Sequence, residues 1–258
     1  VGIREGMKIK TSYVCHPGNK RTCNQDNLYY QGLILKRNHK KKRSVFSSKW
    51  DTAKLLCFGV FDGMGGEQYG ELASCLAAGI TKEILSEATG QRLPSDLLYD
   101  ICRKANTQVY QKTIELGAER IGTTAAVVMF QYDTVWCCNI GDSKIFRLRE
   151  NQLKQLSMDH VAPYSGDPER KPGLTAHLGM GPSEIFPNPY LINDKVLKGD
   201  QYLICSDGIT DMVEIPEIRS ILEEDKDNVI RASKHLMKKA LEHGGFDNAT
   251  LILIGVTE

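Results

Sequence analysis

Five aspartates, spread over almost the whole chain, each stand where a short apolar run ends, beside a Gly, a Ser or an Asn. They are Asp26 in RTCNQD, Asp62 in FDGMGG, Asp142 in IGDS, Asp207 in CSDG and Asp247 in FDN. Carboxylates at strand ends, next to residues that turn sharply, suit a hard divalent cation. Mg²⁺ and Mn²⁺ take oxygen ligands and keep several waters, so a few carboxylates from separate strands can hold them. Taken singly, GDS and SDG are ordinary turn sequences and Asp247-Asn248 an ordinary cap. Only the five together point to a site.

The runs that carry these residues read as strands. Tyr, Val, Ile and Leu cluster in MKIKTSYVCH, DNLYYQGLILK and KLLCFGVFD, then in TTAAVVMF, TVWCCNIG, SKIFRLRE and QLKQLS, and finally in VLKGDQYLICSDG and ATLILIGV. Tyr132-Asp133 and Glu150-Asn151 mark hairpin turns. Leu72, Leu76, Ile80 and Ile84 recur at helical spacing, as do Leu97, Leu98, Ile101, Ala105 and Val109, with Ser95 as the expected N-cap of the second helix. A short helix is expected after Pro216, and another over NVIRASKHLMKKALEHG. Strands in consecutive hairpins with helices grouped in pairs predict an α+β fold, a central sandwich of two antiparallel sheets with helices outside. One domain over 1–258 is the expected count.

Two segments lack a strand or helix signal. The basic stretch KRNHKKKR at 36–43, within an insertion of about 36–50, reads either as the solvated tip of a long hairpin or as a docking patch for an acidic or phosphorylated partner. Residues 159–190 hold several Pro and Gly and read as a long functional loop.

Bulk properties exclude several classes. A net charge of +1 gives no drive toward nucleic acid, and no apolar run reaches the ~20 residues of a membrane span. VGIREGMKIK has no secretory-signal character. Eight cysteines without a C-x-x-C pair do not suggest a disulfide framework or a zinc site, so a reducing, cytoplasmic setting is expected. GMGGEQYG is neither a dinucleotide fingerprint nor a Walker loop.

RTCNQD, FDGMGG, GTTAA, IGDS, CSDGITD and FDNAT occur in the order and at about the spacing of the metal-dependent PPM protein phosphatases, the phosphatase 2C type, and the wording resembles the bacterial branch. The resemblance implies a β-sandwich flanked by pairs of α-helices, with a dinuclear Mn²⁺ or Mg²⁺ centre at one end. It implies that Asp62 bridges the ions and that the Gly63 carbonyl joins one of them. Asp207 and Asp247 would serve the other ion, Asp26 would support the first, and Asp142 with Asp207 would form a weaker third site. Arg21 would grip substrate phosphate. Two cations ~4 Å apart can activate a shared water and clamp an in-line displacement, and a guanidinium fork suits phosphate oxygens.

The implied activity is hydrolysis of phosphoserine and phosphothreonine on proteins by a monomeric enzyme, opposing a cognate kinase. A catalytically inactive sensing module and a phosphatase of partner-switch regulators are the alternatives. Met64 stands where many relatives have a histidine proposed to protonate the leaving group; His160 and His177 flank the long loop. The flap of about 160–181 looks short, and Ala176 replaces an arginine often found after the position of Thr175.

Overall fold

The structure is a computed structural model that describes residues 5–39, 43–64, 69–88, 92–163, 172–182, 184 and 188–258. In chain order the elements are β1 (Lys8–His16), β2 (Asp26–Tyr30), β3 (Leu33–Ile34), β4 (Arg43–Asp51), β5 (Leu56–Met64), α1 (Gly70–Glu87), α2 (Pro94–Glu115), β6 (Gly122–Thr123) and β7 (Ala125–Gln131). There follow β8 (Thr134–Ile140), β9 (Lys144–Arg149), β10 (Gln152–Gln155), β11 (Tyr190–Lys195), β12 (Gln201–Cys205), α3 (Asp207–Thr210), α4 (Ile215–Glu224), α5 (Val229–Glu242) and β13 (Ala249–Val256).

Two antiparallel sheets face each other. One runs β10-β9-β12-β13-β1-β4 and the other β11-β8-β7-β5-β2-β3, with β6 added to the end of β5. Alternation along each strand decides which layer a residue fills. Ile252 and Ile254 of β13 point inward with Leu28, Tyr30, Phe58, Val60, Phe130 and Tyr202 to make the core between the sheets. Leu251 and Leu253 point outward, under the apolar faces of α4 and α5. On the other side Tyr29, Cys57, Phe61 and Val127 pack beneath α1 and α2. Because β13 is covered on both faces, all eight of its residues are buried. The expected sandwich with helix pairs outside is therefore the fold.

Several local expectations are corrected. DNLYYQGLILK is not one strand: Gln31 (φ 44) and Gly32 (φ 87) turn it into the β2–β3 hairpin. Residues 43–51, expected within a basic loop insertion, form β4, which pairs with β1 along its length. Of the stretch before it, Lys36, Arg37 and Asn38 are exposed, while His39 is buried with Nε2 3.4 Å from the Cys15 sulfur. Lys40, Lys41 and Lys42 lie outside the described residues. The end of the expected 159–190 loop belongs to β11, an edge strand of mixed polarity beside β8. Ser95 does not cap α2; Leu93 holds the N-cap position and Pro94 opens the helix, where its missing N–H costs nothing. In α1, Leu72 and Leu76 are half-buried. Ala77 and Ala78 lie at the sheet with Ile80 and Ile84, since small side chains let the helix approach closely, while Ala73 packs against Val109 of α2.

Candidate metal centre

The inward-facing rows change character at one end of the sandwich. Tyr30 and Leu28 lead to Asp26 on β2, and Phe58 and Val60 lead to Asp62 on β5. From the opposing sheet, Ile204 leads to Ser206 and Ile252 to Thr250. Aliphatic core thus gives way to a polar end lined by carboxylates and hydroxyls.

Asp26 is fully buried and is paired directly with Asp62 across the antiparallel ladder. Its Oδ2 accepts a 2.8 Å hydrogen bond from Ser206 Oγ, and Thr250 donates to the same carboxylate. Its Oδ1 has no hydrogen-bond partner among the described residues. Burial lifts this carboxyl from 3.8 to about 7, against the two hydroxyl donors and with help from the charges of Asp207 and Asp247. Asp62 is held well above the usual carboxylate range by burial, by the charges of Asp26 and Asp207, by a hydrogen bond with Asp207, and by the charge of Asp142. Asp26, Asp62, Asp142 and Asp207, from four distant stretches, therefore share one electrostatic neighbourhood.

Local sequence explains the placement. Gly63 must be glycine: a Cβ there would lie 2.0 Å from the Gly70 carbonyl and 2.6 Å from that of Gln25. The Asp62 N–H donates to Thr124 Oγ1 at 3.0 Å, and Thr124 is bonded in turn to Ser143, next to Asp142. Asp207 opens α3. Asp247 is turned outward, and its Oδ2 accepts a 2.7 Å bond from Arg21 Nη2. Arg21 also feels the charges of Asp62 and Asp207, and its pKa is raised, first by the bond to Asp247.

The loop bearing Arg21 is clamped by Asn248. The Asn248 amide donates to the carbonyls of Pro17 and Cys23, both at 2.9 Å, and its Oδ1 accepts the Gln25 N–H at 2.8 Å. Sequence reading singled out neither Asn248 in this role nor Ser206, Thr250, Thr124 or Ser143. Ser143, Ser206 and Asn248 at least adjoin the aspartates in sequence, whereas Thr124 and Thr250 carry no such signal.

The donor set fits a hard cation. A buried carboxylate facing a second one, with an orphaned oxygen, is a costly arrangement that positive charge relieves. Among the described residues no three His, Cys, Asp or Glu side chains form a ready cage. An ion that retains its waters needs only one or two carboxylates from the protein.

The other candidates separate from this centre. His177 is buried, its Nε2 accepting from Arg120 Nη2 at 2.8 Å, and burial and Arg120 lower its pKa. It is a neutral packing residue. Ala176 lies in the core under α1 and α2, where an arginine has no room. All eight cysteines are free, and burial pushes the Cys205 thiol up to about 12, far from a phosphate-attacking thiolate.

Comparison with known proteins identifies the family. A sequence profile described as protein phosphatase 2C matches residues 44–242. The serine/threonine phosphatase stp of Listeria welshimeri is 29% identical over 215 residues, covering 76% of this chain and 82% of the relative. The serine/threonine protein phosphatase PstP of Mycobacterium tuberculosis is 28% identical over 243 residues, covering 88% of this chain but only 44% of PstP. The solved catalytic domain of PstP in complex with two manganese ions superposes with a TM-score of 0.75 at 24% identity, covering 97% of this chain and all of that one. With the profile matched over most of its length, the chain belongs to the protein phosphatase 2C family.

Proposed function

We propose that this chain is one catalytic domain that hydrolyses phosphoserine and phosphothreonine monoesters on proteins, with two Mn²⁺ or Mg²⁺ ions bound at the carboxylate end of the sandwich. The observation that carries the reading is the buried Asp26, with its orphaned oxygen, paired across the ladder with half-buried Asp62. The manganese complex of PstP and the phosphatase names of the relatives support it.

When bound, such ions supply Lewis acidity and a nucleophilic water at neutral pH. Asp62, Asp207 and Asp247, with the carbonyl of Gly63, would hold the pair. Asp26 supports it from beneath, oriented by Ser206 and Thr250. Asp142 with Asp207 would form a third, weaker position. Arg21 grips the phosphate oxygens through its guanidinium fork, and Asp247 fixes the direction of that fork. Phosphoryl transfer asks mainly for positioning and charge neutralisation, so no covalent nucleophile is needed. A protein kinase is the natural counterpart, and free buried thiols suit a cytoplasmic setting.

Purified protein with Mn²⁺ should hydrolyse p-nitrophenyl phosphate and a phosphothreonine peptide. EDTA should abolish both activities, and Asp207→Ala should lower them by about 100-fold or more. Unchanged turnover in Asp207→Ala overturns the reading. Mn²⁺ binding without turnover would instead favour the sensing module.

A further inference from the structure

Beside the Arg21–Asp247 pair stands a large apolar group for which the phosphate chemistry has no use. Phe246 is 56% exposed, yet the turn that carries it is tightly built. Gly244 (φ 121) and Gly245 (φ 54) supply left-handed backbone, and a Cβ on Gly244 would lie 2.6 Å from the Phe246 ring, so the ring rests on that glycine. On one side of Phe246, the Gly245 carbonyl accepts the Asn19 N–H at 2.7 Å. On the other, Asp247 accepts from Arg21 at 2.7 Å. Both neighbours are fastened to the loop that bears Arg21, and the ring is left standing at their junction. At the base of the turn, His243 Nδ1 donates to the Met212 carbonyl at 2.7 Å.

A lone exposed phenylalanine ordinarily needs no explanation. One held on a doubly pinned turn, a single residue from the partner of the phosphate-gripping arginine, is differently situated. We propose that the Phe246 ring determines specificity, receiving an apolar side chain next to the phosphorylated residue of a protein substrate. The inference rests on the phosphatase reading and deepens it. Phe246 is one residue from Asp247, which binds Arg21, and an extended substrate chain advances about 3.3–3.6 Å per residue, so the proposal places the side chain one or two positions from the phosphate beside the ring. The ring offers apolar contact and no charge, so a small or acidic neighbour gains nothing from it.

The test uses the Mn²⁺-loaded protein and phosphothreonine peptides of equal length and charge, with Leu or Gly immediately before or after the phosphothreonine. The wild type should favour one of the Leu peptides by about fivefold or more in kcat/KM, carried by KM rather than kcat. Phe246→Ser should erase that preference, Phe246→Leu should retain part of it, and p-nitrophenyl phosphate turnover should be equal in all three proteins. A Leu preference that survives in Phe246→Ser overturns the proposal. So does a Phe246→Ser variant that loses p-nitrophenyl phosphate turnover in the same proportion, since the ring would then be shaping the Asp247 turn. A wild type that leaves p-nitrophenyl phosphate intact overturns the phosphatase reading itself, and this inference with it.

Discussion

Asp26 and Asp62 are direct partners across the β2–β5 ladder, so two carboxylates leave the same face of one sheet and enter the end of the core together. Like charges placed directly opposite destabilise a sheet, and the metal-free protein answers by holding protons. Asp26 titrates near 7 when folded against 3.8 as its ordinary value. Between those values the folded state keeps a proton that the unfolded chain has released, so stability falls as pH rises from about 4 to about 7. The melting temperature of EDTA-treated protein should drop across this window, and Asp26→Asn should flatten the drop. Mn²⁺ competes with the same protons, so its affinity, followed by calorimetry, should weaken as pH falls below 7. An unchanged slope in Asp26→Asn would remove the carboxylate pair as its source.

Asn248 holds the Arg21 loop by three hydrogen bonds without facing the phosphate itself. Asn248→Ala leaves the Gln25 N–H and two carbonyls unsatisfied, a loss of roughly 2–4 kcal/mol in folding stability. With the loop released, Arg21 loses its fixed approach to the substrate. KM for a phosphopeptide should rise by about tenfold while kcat changes less. Urea unfolding and steady-state kinetics read the two effects separately, and an unchanged KM in a destabilised variant would limit Asn248 to folding.

These two sites mark how far the residues could be read in line. Aspartates at strand ends and strand-period runs are local signals, and they gave the sandwich and the acidic cluster. Ser206 is 180 positions from Asp26, and Thr250 lies farther still. That a hydroxyl from one sheet supports a carboxylate of the other depends on which strands oppose each other, which no local pattern states. The strands β4 and β11 were missed for a related reason. Each lies at a sheet edge and needs apolar side chains on few of its positions. β11 has no fully buried residue, so neither of its faces carries a row of buried apolar side chains to betray it.

A buried ion pair far from the chemistry provides a stability test. Arg149 donates to both oxygens of Asp200, at 2.7 and 2.6 Å, and Asp200 is 1% exposed. The same carboxylate accepts from the Leu197 N–H and from Tyr202 Oη. Asp200→Ala strands a guanidinium and a phenol together, a loss of roughly 3–5 kcal/mol, or on the order of 10 °C in melting temperature for a chain of this size. Specific activity per folded molecule at 20 °C should stay at the wild-type level. A parallel fall in kcat would mean that the pair communicates with the centre.

His177 ties part of the 159–190 segment to the body of the protein, and it does so only while neutral. Its Nε2 accepts from Arg120 Nη2 at 2.8 Å and from Nε at 3.1 Å, so Nδ1 carries the proton and donates to the Leu178 carbonyl at 3.0 Å. Asn106 secures the next turn by accepting the N–H groups of Gly179 and Met180. Burial and Arg120 lower the His177 pKa below 6.5, outweighing the Leu178 carbonyl and Glu184. A group depressed on folding lends stability that is complete above its unfolded pKa and is lost as pH falls through the folded value. Acid below about pH 6.5 should therefore loosen this segment, because an imidazolium cannot accept from a guanidinium. The urea midpoint of the Mn²⁺-loaded protein, compared at pH 7.5 and 5.5, should fall more for wild type than for His177→Gln, whose amide can still accept from Arg120. Hydrogen exchange at Leu178 and Gly179 should speed up at the lower pH in wild type alone. Equal falls in the two proteins would assign the acid sensitivity to another group.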